Sequence, residues 1–279
     1  MEASKGSETW FPLTRIAADE EKHLADSTRQ LGSLWSCAEA VANLYGRLAD
    51  AIESGCPSEP SESYARAYAA CLFLRAAQRT ALLQVLDVAR RHFSESHGRH
   101  RRASDLMAFA WISWRDIEEA DKWMMSRRNW DAYEKAYSTT RIREALRQLN
   151  DPLALRHKEL GRRVHPSRTS LGTSIRFVES PYGLMPRIDM FDTRPDEGGP
   201  FGPEVKAELL LDAALWHLEA QRSFQLKALK SRSWRAARIS FEAAITVSYG
   251  ALVHEENAWA DRIKRLNSWR AEQRHDRHA

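Results

Sequence analysis

The chain has 279 residues, and 43% of them are hydrophobic, so it can bury a large core and a disordered protein is excluded. The formal net charge of +4 is too small to establish a polyanionic partner by itself. The basic residues are 33 Arg and 9 Lys, an excess that suits phosphate binding because the guanidinium is planar, although a GC-rich coding sequence would produce the same excess.

The cysteines and the apolar runs of the sequence indicate the cellular compartment of the protein. Cys37, Cys56 and Cys71 are scattered and form no C-x-x-C pair, which argues against a zinc knuckle and favours a reducing compartment. The polar first nine residues lack the apolar core of a secretion signal. The apolar runs are too short to cross a membrane. We therefore predict a cytoplasmic protein with no membrane partner.

At the start of the chain, residues 1–12 are predicted to be a flexible leader to a single helical domain over 13–269. Within 31–52, apolar residues recur at alternating spacings of three and four, which predicts a helix with a heptad seam. The residues of this heptad seam are Leu31, Leu34, Ala38, Val41, Tyr45, Leu48 and Ile52.

The second predicted helix begins at Ser61 or Ser63 and ends near His92. Its middle, 67–77, is apolar almost all round, which indicates a central position in the core. The basic, His-rich stretch 90–102 is interpreted as a solvated connector. Further helices are predicted at 104–126, 129–137, 139–149, 152–164, 203–224 and 234–266.

Two segments break the helical period. Residues 175–179 and 187–191 alternate apolar and polar around Ser-Pro-Tyr-Gly, which predicts a small β-hairpin at about 173–192. Residues 270–279 are predicted to be a charged tail. The predicted fold class is therefore all-α, an antiparallel bundle of about seven or eight helices with a small inserted β-hairpin.

Motifs for nucleotide-fold, hydrolase and zinc-protease chemistry are absent from the sequence, and no cofactor is predicted. Two E-x-x-H pairs have the spacing of di-metal bundles, but they lie in polar segments near opposite ends of the chain. These pairs are Glu20 with His23 and Glu272 with His275. No metal is predicted, and the loop carrying His92, His97 and His100 is interpreted as a solvated loop that touches phosphate.

The most suggestive segment is the basic end of the 152–164 helix. Pro166 disfavours helical geometry at His165, so the helix should end there, with Arg162, Arg163 and Arg168 close to His165. This arrangement fits a proton-transfer histidine beside phosphate-binding guanidinium groups. The alternative is that these cations complement the negative end of the helix dipole. His157 falls on the apolar face of the same helix and is interpreted as a core residue.

The run R-H-K-E-L-G-R-R-V-H-P-S at 156–167 resembles a segment of an uncharacterised bacterial group of HEPN-like helical proteins. Phe73-Leu74-Arg75 is similar to that group's upstream L-x-R pattern, and the likeness covers about 65–170. The resemblance implies an all-helical fold, frequent dimerisation and, in active members, metal-independent RNA cleavage. The Arg and His that cleave are separated by four to six residues, and Lys158 stands at that distance from His165.

Two functional hypotheses follow. In the first, the protein binds or cleaves RNA, in toxin or phage-defence biology, with His165 as general acid/base and Arg162 or Arg163 stabilising the phosphorane. The residues expected to contact phosphate are Arg75, Arg99, Arg101, Arg102, Lys158 and Arg168. In the second, the protein is a non-catalytic helical interaction protein or scaffold.

A homodimer is expected under both hypotheses. The heptad seam and the apolar face of the last helix, which includes Trp259 and Ile263, are the candidate interfaces. The alternative is that these two faces pack on each other, or on the central helix, within one chain.

Overall fold

A computed structural model describes residues 13–56, 62–164, 202–224 and 232–275, together with the backbone of 175–180 and 183–188. The helices, in chain order, are α1 (Leu13–Leu31), α2 (Ser33–Glu53), α3 (Glu62–Ala89), α4 (Phe93–Arg115), α5 (Ile117–Met124), α6 (Trp130–Ala136), α7 (Thr139–Leu149), α8 (Asp151–Val164), α9 (Gly202–Ser223) and α10 (Arg232–His275).

The predicted all-α fold class is confirmed, and the helices form a bundle. Its centre is α3, which packs along α4 on one side and on α2 on the other. This position explains the apolar middle of α3, where Ala70, Leu74 and Ala77 are fully buried. Helices α9 and α10 complete the core beside α2, while α7 and α8 pack on α4.

The heptad seam packs against other helices of the same chain. Leu34, Val41 and Leu48 have no exposed surface, and α2 packs on α3, α9 and α10. Trp259, on the apolar face of α10, is also buried. The alternative interpretation is therefore confirmed, because the two candidate dimer faces pack together inside one chain. Homodimerisation itself stays a prediction and requires a different surface.

The prediction that 90–102 is a solvated connector is wrong. The turn is confined to 90–92, where Arg91 has a φ of 68°, and α4 begins at Phe93. His97 and His100 are buried on the inner face of α4, in helical register with the fully buried Phe93. Burial of His97 and His100 on one face stabilises a helix here, whereas the charge of the neighbouring arginines had suggested an exposed loop.

Two further boundaries differ from the sequence-based prediction. The helix expected over 104–126 breaks at Asp116, whose extended backbone ends α4 and whose carboxylate caps α5 by accepting from the Glu118 N–H at 2.9 Å. Helix α1 was not predicted as an element. The described residues therefore contain more helices than the seven or eight expected.

Between α8 and α9 the backbone forms two short strands, β1 (Ile175–Ser180) and β2 (Gly183–Ile188). They pair antiparallel, with residue 175 opposite 188 and 180 opposite 183. At the carboxyl end, α10 continues through residue 275 into the segment expected to be a charged tail. The predicted leader at 1–12 lies outside the described residues. No helix in the described part of the chain is long and apolar enough to cross a membrane.

Candidate functional site

The residues proposed for catalysis lie at the margin of the described chain. His165 and Arg168 fall outside the described residues. Arg162 and Arg163 belong to the last turn of α8, where the backbone is described but their side chains are not. Their catalytic and phosphate-binding roles therefore stay predictions.

Arg75 is paired with two acidic residues of α2. Its guanidinium lies 2.5 Å from an Asp50 carboxylate oxygen and 3.4 Å from one of Glu53, both on α2. The two carboxylates offset its positive charge. Arg75 therefore contributes to the packing of α2 on α3 and does not join the basic residues of α8.

Arg99 and Arg101 on α4 are also paired. Arg99 Nε donates to Asp87 at 2.5 Å, which links α4 back to α3. Arg101 Nε donates to Asp105 at 3.2 Å, and its Nη1 donates to the His157 carbonyl at 3.0 Å. Both residues were expected to contact phosphate, and the structure gives each of them an acidic partner.

His157 is completely buried between α8 and α4. Its Nε2 lies 2.7 Å from the Asp105 carboxylate, which Arg101 shares. Burial lowers the pKa of His157, and this effect exceeds the opposing effect of the hydrogen bond to Asp105. The interpretation of His157 as a core residue is confirmed. A histidine without exposed surface cannot exchange protons with a bound substrate, so His157 is no candidate for acid–base catalysis.

The side chain of Arg101 brings two basic segments together. Its Nη1 would lie 2.7 Å from a β-carbon added at Gly161, so the Arg101 side chain reaches the backbone of α8. Arg102 is exposed next to this contact on α4, and Lys158 is exposed one turn before Gly161 on α8. Within the described residues, neither cation lies within 4.0 Å of a carboxylate oxygen. We call the surface that carries Arg102 on α4 and Lys158 on α8 the α4–α8 surface.

A buried polar network that was not predicted joins α2, α3 and α9 in the core. His217 on α9 contacts the Tyr45 hydroxyl through Nδ1 and the Gln84 side-chain oxygen through Nε2, each at 2.9 Å. Complete burial lowers the pKa of His217 to about 3 and raises that of Tyr45. In the sequence, only the position of His217 on the apolar stripe of α9 indicates that it is buried. That position does not identify Tyr45 and Gln84 as its hydrogen-bond partners.

A buried serine–lysine pair joins α1 to α9. Lys206 Nζ donates to Ser27 Oγ at 2.9 Å, and Ser27 Oγ donates to the Ala89 carbonyl at 2.8 Å. Such pairs activate serine in some hydrolases. Ser27 has no exposed surface, so a substrate cannot reach it, and the pair connects three helices instead.

A polar cleft of about 240 Å³ opens where α4, α5 and α7 meet. On its wall, Glu119 Oε1 accepts from Arg141 at 3.0 Å and from Lys122 at 3.2 Å. Arg115 lies over the Trp111 ring at 5.7 Å. The acids and bases on its wall are therefore largely paired with one another.

Glu20, one of the candidate metal ligands, pairs with a histidine outside its E-x-x-H motif. Glu20 faces the 90–92 turn, where its carboxylate lies 3.0 Å from His92 Nε2. Among the residues that the structure describes, no group of three or more His, Cys, Asp or Glu is placed to hold a metal ion.

Comparison of the chain with protein-family models, curated proteins and solved structures finds no match. The HEPN-like resemblance therefore rests on the residues quoted for it, chiefly the run at 156–167.

Proposed function

We propose that this protein binds RNA through the phosphate groups that contact the α4–α8 surface. One observation supports the proposal: Arg101 of α4 lies against Gly161 of α8, so two basic segments about 60 positions apart in the sequence lie next to each other. Phosphates along an RNA strand are recognised by such groups of cations, and counterion release provides much of the affinity.

The contributions of the basic residues differ. Arg99 and Arg101 have carboxylate partners, which reduces the positive potential that they present to a phosphate. Arg102 and Lys158 are exposed without such partners in the described residues and are expected to contribute more. Arg143, which lies close enough to His157 to lower its pKa, adds positive charge at the same helix junction.

We extend this proposal to cleavage of the bound RNA, in a toxin or phage-defence role. The residue that would serve as general acid/base is His165, which directly follows α8, with Arg162 or Arg163 stabilising the phosphorane. The burial of His157 supports this assignment, because it removes the other histidine of the segment from contact with substrate. The hypothesis of a non-catalytic interaction protein is the alternative.

Binding is tested by fluorescence anisotropy with a labelled single-stranded RNA. The double variant Arg102→Glu/Lys158→Glu is compared with Arg47→Glu/Arg128→Glu, which makes the same charge change at exposed positions outside the α4–α8 surface. We expect the first variant to lose affinity by roughly tenfold or more, because two phosphate contacts are lost, and the control to lose much less. Equal losses would contradict the proposed surface.

Cleavage is tested separately by incubating total RNA with the protein in the presence of EDTA. The His165→Ala variant should lose activity, whereas His254→Ala, at an exposed position on α10, should retain it. Equal cleavage by the wild type and His165→Ala, or no cleavage by either, would remove the enzyme hypothesis and leave RNA binding.

A further inference from the structure

The polar cleft where α4, α5 and α7 meet has a size that suits a small molecule. Its volume of about 240 Å³ is somewhat below the roughly 300–1,000 Å³ of sites that hold drug-sized molecules. Ile112 and Ala145 make part of its wall apolar, and polar side chains from all three helices line the rest. Polar groups that converge in a cleft are a common feature of small-molecule sites, so those that lack a partner within the chain indicate the kind of ligand.

Arg115 is a cation of this cleft that has no acidic partner among the described residues. Its Nη1 donates to the neutral side-chain oxygen of Gln148, and its guanidinium lies over the Trp111 ring at 5.7 Å. Arg141, by contrast, is paired with the carboxylates of Glu119 and Glu144. Arg115 therefore retains N–H donors and its charge for an anionic group in the cleft.

Two carboxylates of the same cleft have hydrogen-bonding capacity left. Asp116 Oδ1 accepts from the Glu118 N–H at 2.9 Å, and no described cation pairs with it. Glu119 is only 7% exposed, and its Oε1 accepts from both Lys122 and Arg141. Its Oε2 is buried and accepts no hydrogen bond from the described residues. A buried acceptor without a donor is destabilising, so this oxygen points to a donor on a bound molecule.

The backbone around Glu119 is held in place by Tyr137. The Tyr137 hydroxyl donates to the Glu119 carbonyl at 2.9 Å and lies 2.9 Å from Ser113 Oγ on α4. The terminal torsion of a glutamate side chain is broad. Rotation of the carboxylate can therefore turn Oε2 toward a ligand in the cleft while the backbone stays fixed.

We propose that this cleft binds a free α-amino acid with an uncharged side chain. The ligand carboxylate accepts hydrogen bonds from Arg115, and the ligand ammonium donates to Asp116 and Glu119. A zwitterion supplies both charges in one small molecule, whereas an anion or a cation would leave one side of the cleft without a partner. The charges of Arg141 and Glu144 already offset each other, which leaves no partner for a charged ligand side chain.

The proposal is tested by isothermal titration calorimetry on the full chain. Each L-amino acid with an uncharged side chain is added alone at millimolar concentration, and at least one should bind. Its N-acetyl derivative lacks the ammonium and its amide lacks the carboxylate, so each should bind weaker by roughly tenfold or more. The absence of binding by every amino acid, or equal binding of the derivatives, would overturn the proposal.

Substitutions in the cleft locate the site. Arg115→Gln removes the cation, and Asp116→Asn removes a negative charge but keeps a residue that can cap α5. Each should weaken binding of the amino acid by roughly tenfold. Arg147→Gln and Glu118→Gln make the same charge changes at exposed positions that do not line the cleft, and they should leave binding unchanged. Wild-type affinity in both cleft variants, with helix content unchanged by circular dichroism, would overturn the assignment of the site.

Discussion

Arg101 occupies the space that a side chain at residue 161 would need. Its Nη1 lies 2.7 Å from the position of a β-carbon at Gly161 and donates to the His157 carbonyl at 3.0 Å. An alanine at residue 161 would therefore displace the flexible end of the Arg101 side chain. This contact joins the two basic segments on which the proposed function depends.

The relationship predicts coupling between the two positions. In the wild type, Gly161→Ala displaces the Arg101 guanidinium, and the lost hydrogen bond offsets the gain in helix propensity, so stability should change little. In an Arg101→Ala background the displacement is absent, and the same change should stabilise the protein by about 0.5–1 kcal/mol. Denaturant unfolding of the four proteins measures this difference. Equal effects of Gly161→Ala in both backgrounds would contradict the contact.

The buried His217 predicts a loss of stability in acid. Its pKa in the folded protein is about 3, below the value of about 6.5 for an exposed histidine. The unfolded state therefore takes up a proton that the folded state does not. The stability that His217 contributes is complete above about pH 6.5 and is lost as the pH falls toward 3.

The measurement compares the free energy of unfolding between pH 4.5 and 7.5 for the wild type and His217→Gln. The variant should depend less steeply on pH, by about one proton. His254→Gln, at an exposed position, should retain the wild-type dependence. A His217→Gln profile parallel to that of the wild type would show that His217 is not held neutral in the core.

Removal of the Tyr45 hydroxyl should destabilise the protein although the ring remains. Tyr45→Phe leaves His217 Nδ1 without its partner at 2.9 Å in a fully buried position. The loss of a buried hydrogen bond of this kind costs about 1–3 kcal/mol. Thermal and denaturant unfolding report it. The matched control is Tyr68→Phe, since that side chain is 43% exposed, and its stability should stay within about 0.5 kcal/mol of the wild type.

A buried and an exposed apolar residue should respond differently to truncation. Leu34→Ala removes a completely buried side chain from the heptad seam and should destabilise the fold by about 2–5 kcal/mol. Val247→Ala, at a position on α10 that is 72% exposed, should have little effect on the unfolding of the monomer. Denaturant unfolding at a concentration where the protein is monomeric compares them, and a large effect of Val247→Ala there would indicate packing within the chain.

Periodicity in the sequence predicted the parts of the fold that depend on apolar residues. The heptad seam and the apolar middle of α3 are both buried, as their patterns indicated. The pattern could not identify the partner of the seam, because a narrow apolar face serves equally well inside a bundle and between two chains. Only the tertiary packing shows that α10 and α3 cover it.

Polar residues in the core were the main reason why parts of the fold and its contacts could not be predicted from the sequence. His97 and His100 lie among arginines in the sequence, so the first turns of α4 resembled a loop, yet both histidines are buried. The partnership of Asp105 with Arg101 and His157 joins residues about 50 positions apart and has no local signal. The basic end of α8 was recognised from the sequence, but the contact of Arg101 with the backbone of α8 has no local signal.

The salt dependence of RNA binding tests the central claim most directly. If the α4–α8 surface contacts phosphates, the logarithm of the association constant should fall linearly with the logarithm of the salt concentration, and Arg102→Glu/Lys158→Glu should reduce the slope by about two, or about one for each lost contact. The Arg47→Glu/Arg128→Glu control should keep the wild-type slope. A wild-type slope near zero, or a slope that the surface variant leaves unchanged, would contradict the account.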